Sequence, residues 1–149
     1  MAVLGKFRKA WGLSWADWLF LVEVSIFLPV VRILLRIMPF RTLVRLFSGK
    51  TVFVENSALN PDRSTYLMEL ASHYHMLRPS CLEKALVLYA VLRRQGITAD
   101  LAIGTMKKNG QFKAHAWVKY QGRVILGNYE EPYTQLFVTS SARNLRQPT

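Results

Sequence analysis

Three residue types are scarce in this 149-residue chain: it has one cysteine, three histidines and nine acidic residues. Each shortage excludes something. A single thiol, Cys81, forms no internal disulfide, so nothing points to an oxidising compartment and a cytoplasmic setting is the expectation. Three histidines and one cysteine without close spacing make a poor metal site, and no glycine-rich phosphate loop is present, so neither a metal nor another cofactor is expected. Against 20 Lys and Arg, the few acids leave a formal charge of +11. That balance favours an anionic partner such as a membrane surface, a nucleic acid or an acidic peptide, without choosing among them. Repeats and low-complexity segments are also missing, and a chain of this length buries about 68–70% of its unfolded surface without staples.

No clean membrane-spanning run is present either. The first fifty residues are dense in Leu, Ile, Val, Phe and Trp, but Glu23, Pro29, Arg32 and Arg36 interrupt them and leave only the stretch from Val24 to Val31 free of charge. A spanning helix wants about 20 mostly apolar residues. Lys6, Arg8 and Lys9 resemble the start of a signal peptide, yet no small-residue cleavage site follows.

What is present reads as two N-terminal helices. Ser14 caps the first, with Asp17 three positions on completing a capping box. This helix runs toward Arg36 with a kink at Pro29, and Pro39 opens a shorter helix through Phe47. Arg32, Arg36, Arg41 and Arg45 line one side of an amphipathic surface. Such a surface suits peripheral contact with an anionic membrane, or a partner protein; packing on the chain's own domain with the arginines in water is the plainer alternative. Trp11, Trp15, Trp18 and Phe20 sit in apolar context, without the interleaved basic residues of a base-stacking platform, so nucleic acid is not the expected partner. The character of the sequence changes over 48–64, which divides the chain into an N-terminal helical segment, 1–50, and a second domain, 51–149.

Ser80 and Glu83 form a second capping box and start a helix at Cys81. Leu82, Ala85, Leu86, Tyr89, Val91 and Leu92 are its apolar positions, Arg93 and Arg94 suit its C-terminal end, and Gly96 supplies a left-handed stop. A cysteine in the first turn lies against unpaired N–H groups and the positive end of the helix dipole, which favour thiolate over thiol. Most free cysteines are only small buried hydrophobes, so a nucleophile needs a base.

Downstream, Ile97–Thr105, Phe112–Tyr120 and Arg123–Leu126 read as strands around turns at Asn109-Gly110 and Gln121-Gly122. The fold class is α+β, with the cysteine helix on an antiparallel meander. If Gln121-Gly122 is a two-residue loop, opposed residue numbers sum to 243. Lys119 then faces Val124, Trp117 faces Leu126, and His115 faces Asn128, with Glu130 diagonal to His115. An imidazole oriented by a neighbouring amide or carboxylate is the base a thiol needs. Trp117 on the same face either walls a groove or packs. His73 and His75, on the approach to the cysteine helix, have no obvious orienting group.

"CLEKALVLYAVLRRQGI", "LAIG" and "AHAWVKYQGRVILGN" together resemble the leader peptidases of lasso-peptide biosynthesis, transglutaminase-like members of the papain-fold cysteine hydrolases, over roughly residues 65–137. The resemblance implies a transglutaminase-like core and a Cys-His-Asp type triad whose acid follows the histidine on the next strand. Cys81 and His115 match directly; the third position falls at or near Asn128, with Glu130 as its rival. It also implies a cytoplasmic protease that removes the leader from a ribosomally made precursor peptide, a separate leader-binding protein that delivers the precursor, and an asparagine-synthetase-like cyclase that closes the ring.

Overall fold

The computed structural model describes residues 12–48, 60–127 and 133–139. Along them run α1 (Trp15–Ile37), α2 (Phe40–Ser48), α3 (Pro61–Tyr74), α4 (Cys81–Arg94), β1 (Ala99–Lys108), β2 (Gln111–Tyr120), β3 (Arg123–Leu126) and β4 (Thr134–Val138).

Both expected capping boxes form. Ser14 N–H donates to Asp17 Oδ2 at 2.8 Å and Ser80 N–H to Glu83 Oε2 at 2.8 Å, while each serine hydroxyl accepts the amide three residues on at 3.3 Å. The helix of α1 continues past Pro29 to Ile37. Proline has no N–H to give the carbonyl four residues back, here that of Ser25. His75 Nε2–H donates to this carbonyl at 3.2 Å, so the group that Pro29 leaves without a helical partner is satisfied from the loop ahead of α4.

The central element is α4. Every residue from Ala85 to Leu92 is buried, the signature of a helix covered on all sides. One side packs on β1 and β2, and the rest is covered by α1, α2 and α3. Of the six inward positions that sequence periodicity marks, five are buried and Leu82 partly so; Val87, Leu88 and Ala90 are buried as well. Phe20, Val24, Leu28 and Val31 of α1 join the same core, each burial worth about 1.5–3 kcal/mol.

Three ion pairs fix where α1 lies. Glu23 meets Arg94 at 2.6 Å and Arg32 meets Glu83 at 2.9 Å, so α1 runs antiparallel to α4. Asp17 takes two hydrogen bonds from Arg63 of α3, at 3.2 and 2.7 Å. Helix α3 itself was not evident in the sequence. Its inward positions, Ser64, Leu67, Met68 and Ala71, do follow helical spacing, but the buried serine breaks the apolar pattern.

The strands order as β3-β2-β1-β4, all pairings antiparallel. β4, unforeseen in the sequence, returns to the far edge of β1, so the first three strands alone form the expected meander. Asn109-Gly110 and Gln121-Gly122 are two-residue turns with φ of 52° and 76°, and 49° and 77°. The second hairpin then departs from the expected register. Tyr120 pairs with Arg123 and Lys119 with Val124 as the sum rule requires, but Val118, not Trp117, pairs with Leu126. Ile125 is the extra residue of a bulge, so the sum rule fails beyond it. Asn128 and Glu130 lie outside the described residues.

The Arg63–Asp17 pair gives a pH test. Hydrogen bonds from Arg63 hold the buried Asp17 carboxyl below its ordinary range. A carboxylate lowered in the folded state stabilises fully above its unfolded pKa of about 3.9, and the contribution is lost as pH falls through the lower folded value. Arg63→Ala should therefore cost about 1–3 kcal/mol at neutral pH. Its denaturation midpoint should converge with that of the parent in strong acid; a gap of the same size there would show that the pair is not the source.

Candidate functional site

Cys81 is the first residue of α4, its side chain partly exposed above the Ser80–Glu83 box. Glu83 does two things there. One carboxylate oxygen holds the Ser80 amide and the other accepts Arg32 Nε–H at 2.9 Å, so the turn carrying the thiol is tied to α1. The preceding loop is tied as well, because the His75 ring that donates to Ser25 accepts the Leu77 amide at Nδ1, 3.2 Å away. Those two bonds make His75 a neutral Nε2–H tautomer with a bracing role. Arg78, in the same loop, holds φ at 42°, a left-handed conformation that costs a non-glycine residue strain.

Beside this turn lies an open groove of about 790 Å³, lined by Tyr66, His73, Tyr74, Arg78, Pro79 and Lys84 among others. Lys84 is one turn on from Cys81 on the same side of α4 and pairs with Glu69 at 3.2 Å. Cys81 itself does not line the groove, which leads up to the helix N-terminus.

The tight turn from Gln95 to Thr98 sends β1 back along α4. The 14 residues of α4, at about 1.5 Å each, cover about 21 Å, the span of six or seven strand residues at about 3.3 Å. Counting from Ala99, that length ends near Thr105, which faces Ala114 on β2. By element lengths alone, Cys81 on α4 and His115 on β2 lie toward the same end of the helix–sheet layer. No hydrogen bond joins them among the described contacts. Ala116 and Val118 belong to the core shared with α4, and strand alternation turns His115 and Trp117 to the other side of β2.

On that side His115 Nε2–H donates to the Gly127 carbonyl at 3.1 Å, leaving Nδ1 with its lone pair. The imidazole stacks on Trp117 and Tyr133 with ring centroids 6.3 and 5.5 Å apart. Trp117 packs: it is fully buried, and its ring covers Gly104, where an added Cβ would lie 2.6 Å from Cη2. Among the described residues the Gly127 backbone carbonyl is the group that meets the ring; Asn128 and Glu130, the expected orienting side chains, lie outside them. Sequence pattern could not reveal the carbonyl, since a backbone acceptor has no residue signature. His73 lines the groove edge-on to Tyr74 at 5.1 Å. Among the described residues no three His, Cys, Asp or Glu side chains cluster to hold a metal.

A family model described as the transglutaminase-like superfamily matches residues 25–139, most of the chain and all of the site. No curated protein and no solved structure matches it.

Gly127 is the hinge of this arrangement. Its φ is 80°, and an added Cβ would stand 2.5 Å from the Ala116 carbonyl and 3.0 Å from Trp117 Cα. Gly127→Ala should destabilise the protein by at least about 1–3 kcal/mol, the cost of a left-handed non-glycine residue alone, with the backbone clash adding to it. A thermal midpoint equal to that of the parent would contradict the close approach of Gly127 to β2.

Proposed function

The chain belongs to the transglutaminase-like superfamily, and from that premise we propose that it is a cysteine-dependent acyl-transfer enzyme, specifically the protease that cuts the leader from a ribosomally made lasso-peptide precursor. The observation that carries the reading is the position of Cys81. It opens a braced, capped helix packed on the strand that carries a histidine of defined tautomer, inside a transglutaminase-like domain. The narrower assignment rests on the "CLEKALVLYAVLRRQGI" and "AHAWVKYQGRVILGN" segments.

In the proposed reaction the Cys81 thiolate attacks the carbonyl of the last leader residue. The first, unpaired amides of α4, that of Cys81 among them, receive the oxyanion. His115 takes the thiol proton at Nδ1, gives it to the leaving amine of the core peptide, and then activates the water that releases the leader from the thioester. The Gly127 carbonyl holds the ring, assisted by Asn128 or Glu130. Cys81 and His115 are not bonded in the described state and β2 turns the imidazole to its other face, so the proposed proton transfer requires thiol and Nδ1 to meet around the end of the helix–sheet layer. The groove ending at Lys84 is the natural seat for the leader side of the peptide. The proposed partners are the precursor, a leader-binding protein and an asparagine-synthetase-like cyclase, all in the cytoplasm. Every residue with a chemical role lies in 51–149, so the functional division falls near residue 50, although both parts share one core.

A non-catalytic role for the same fold is favoured by one observation, the lack of a Cys81–His115 bond. A transglutaminase-like acyl transferase would use the same residues with an amine in place of water. Incubation of precursor with the enzyme and its leader-binding partner, read by mass spectrometry, separates the readings. Cys81→Ala and His115→Ala should each abolish cleavage, because nucleophile and base act as a unit. His73→Ala should retain it. Cleavage surviving Cys81→Ala would exclude the protease, and release of an amine adduct in place of free leader would identify the transferase.

A further inference from the structure

The helix α1 is apolar on two opposite faces, and the fold uses only one. Phe20, Val24, Leu28 and Val31 point into the core. At 100° per residue the opposite side carries Trp15, Val22, Ile26 and Ile33, which are 79%, 54%, 62% and 57% exposed. Trp18, Leu19, Val30 and Ile37 widen the stripe and are exposed too. The stripe runs the length of a 23-residue helix, about 34 Å.

We propose that α1 lies in the plane of an anionic membrane surface, with this stripe sunk to the boundary between headgroups and acyl chains. Three features select a bilayer over a protein partner. First, apart from the indole N–H groups of Trp15 and Trp18 near its start, the stripe offers nothing to hydrogen-bond. Ser25, at its margin, spends its hydroxyl on the Leu21 carbonyl at 2.7 Å, and the carbonyl that Pro29 would leave open is taken by His75. A protein interface carries about one hydrogen bond per 100–200 Å², whereas hydrocarbon requires none. Second, the charges beside the stripe are positive. Asp17 and Glu23 are neutralised by Arg63 and Arg94, while Arg36 at the stripe's end and Arg41 and Arg45 on α2 are exposed with no carboxylate partner among the described residues. Third, tryptophans at one end and arginines at the other are the side chains that settle at the headgroup level.

By length and composition α1 could cross a bilayer, but its attachments favour lying flat. Crossing would strip Phe20, Val24, Leu28 and Val31 from the core. It would also break the pairs with Arg63, Arg94 and Glu83, carrying Asp17, Glu23 and Arg32 into hydrocarbon. In the plane, every inward contact persists.

The test is flotation of the full chain with preformed vesicles of phosphatidylglycerol and phosphatidylcholine, or of phosphatidylcholine alone. The parent should bind the anionic vesicles at least tenfold more tightly, and added salt should weaken binding. Ile26→Glu with Ile33→Glu should reduce binding more than tenfold with an unchanged melting temperature, since both side chains lie in solvent. Arg36→Ala, Arg41→Ala and Arg45→Ala together should remove the preference for phosphatidylglycerol. Protease added outside should leave no fragment protected in the lumen. The proposal is overturned if neither vesicle is bound, if a protected fragment containing α1 appears, or if the glutamate pair abolishes a concentration-dependent dimer in a protein that ignores vesicles. Because the readout is independent of cleavage, its failure leaves the proposed chemistry of Cys81 standing.

Discussion

The Glu83 carboxylate is the point through which the two halves of the molecule hold one another. One oxygen completes the cap of α4 and the other receives Arg32, so the N-terminus of the buried helix is fixed to the outer helix. Removing two charges from water offsets much of their attraction, so such a pair adds little net stability against an apolar replacement. What it adds is register. With Glu23 on Arg94 at the other end, sliding α1 along α4 would break both pairs together, and the turn that presents Cys81 would lose its support.

The same helix shows how one irregularity is compensated from elsewhere. Pro29 removes a backbone donor in mid-helix, and the Ser25 carbonyl it leaves is met by an imidazole fifty residues on. That imidazole also braces the loop ahead of Cys81 through the Leu77 amide. A proline in α1 and a histidine before α4 therefore form one device. It makes the inner side of α1 part of the site's scaffold and leaves the outer side, a stripe polar only at the indole N–H groups of Trp15 and Trp18, available to a surface.

On the sheet side, the position of His115 is decided by a one-residue excess. The bulge at Ile125 carries β3 one step past the regular pairing and brings the Gly127 carbonyl under the imidazole. Gly127 fits there because it can hold a positive φ within contact distance of the Ala116 carbonyl. Trp117 and Tyr133 then pack against the ring and against each other. The result is a histidine with a defined tautomer that shares no hydrogen bond with the thiol among the described contacts.

The sequence alone determined whatever depends on neighbours along the chain. Ser14 with Asp17 and Ser80 with Glu83 specify two helix starts within three residues, Gly96 ends α4 in a left-handed turn, and Asn109-Gly110 and Gln121-Gly122 specify two hairpins, because caps and turns are satisfied locally. The cysteine's place at a helix N-terminus was legible for the same reason. Tertiary structure decided the rest. α3, with Ser64 buried, and β4, which pairs across the sheet, owe their form to distant partners. The bulge at Ile125 has no residue signature, and neither has the Gly127 carbonyl that meets His115. Most of all, a helix apolar on two opposite faces, such as α1, reads the same whether it is buried, spanning or lying on a surface. Only its ion pairs to Arg63, Arg94 and Glu83 show which face the fold has already taken.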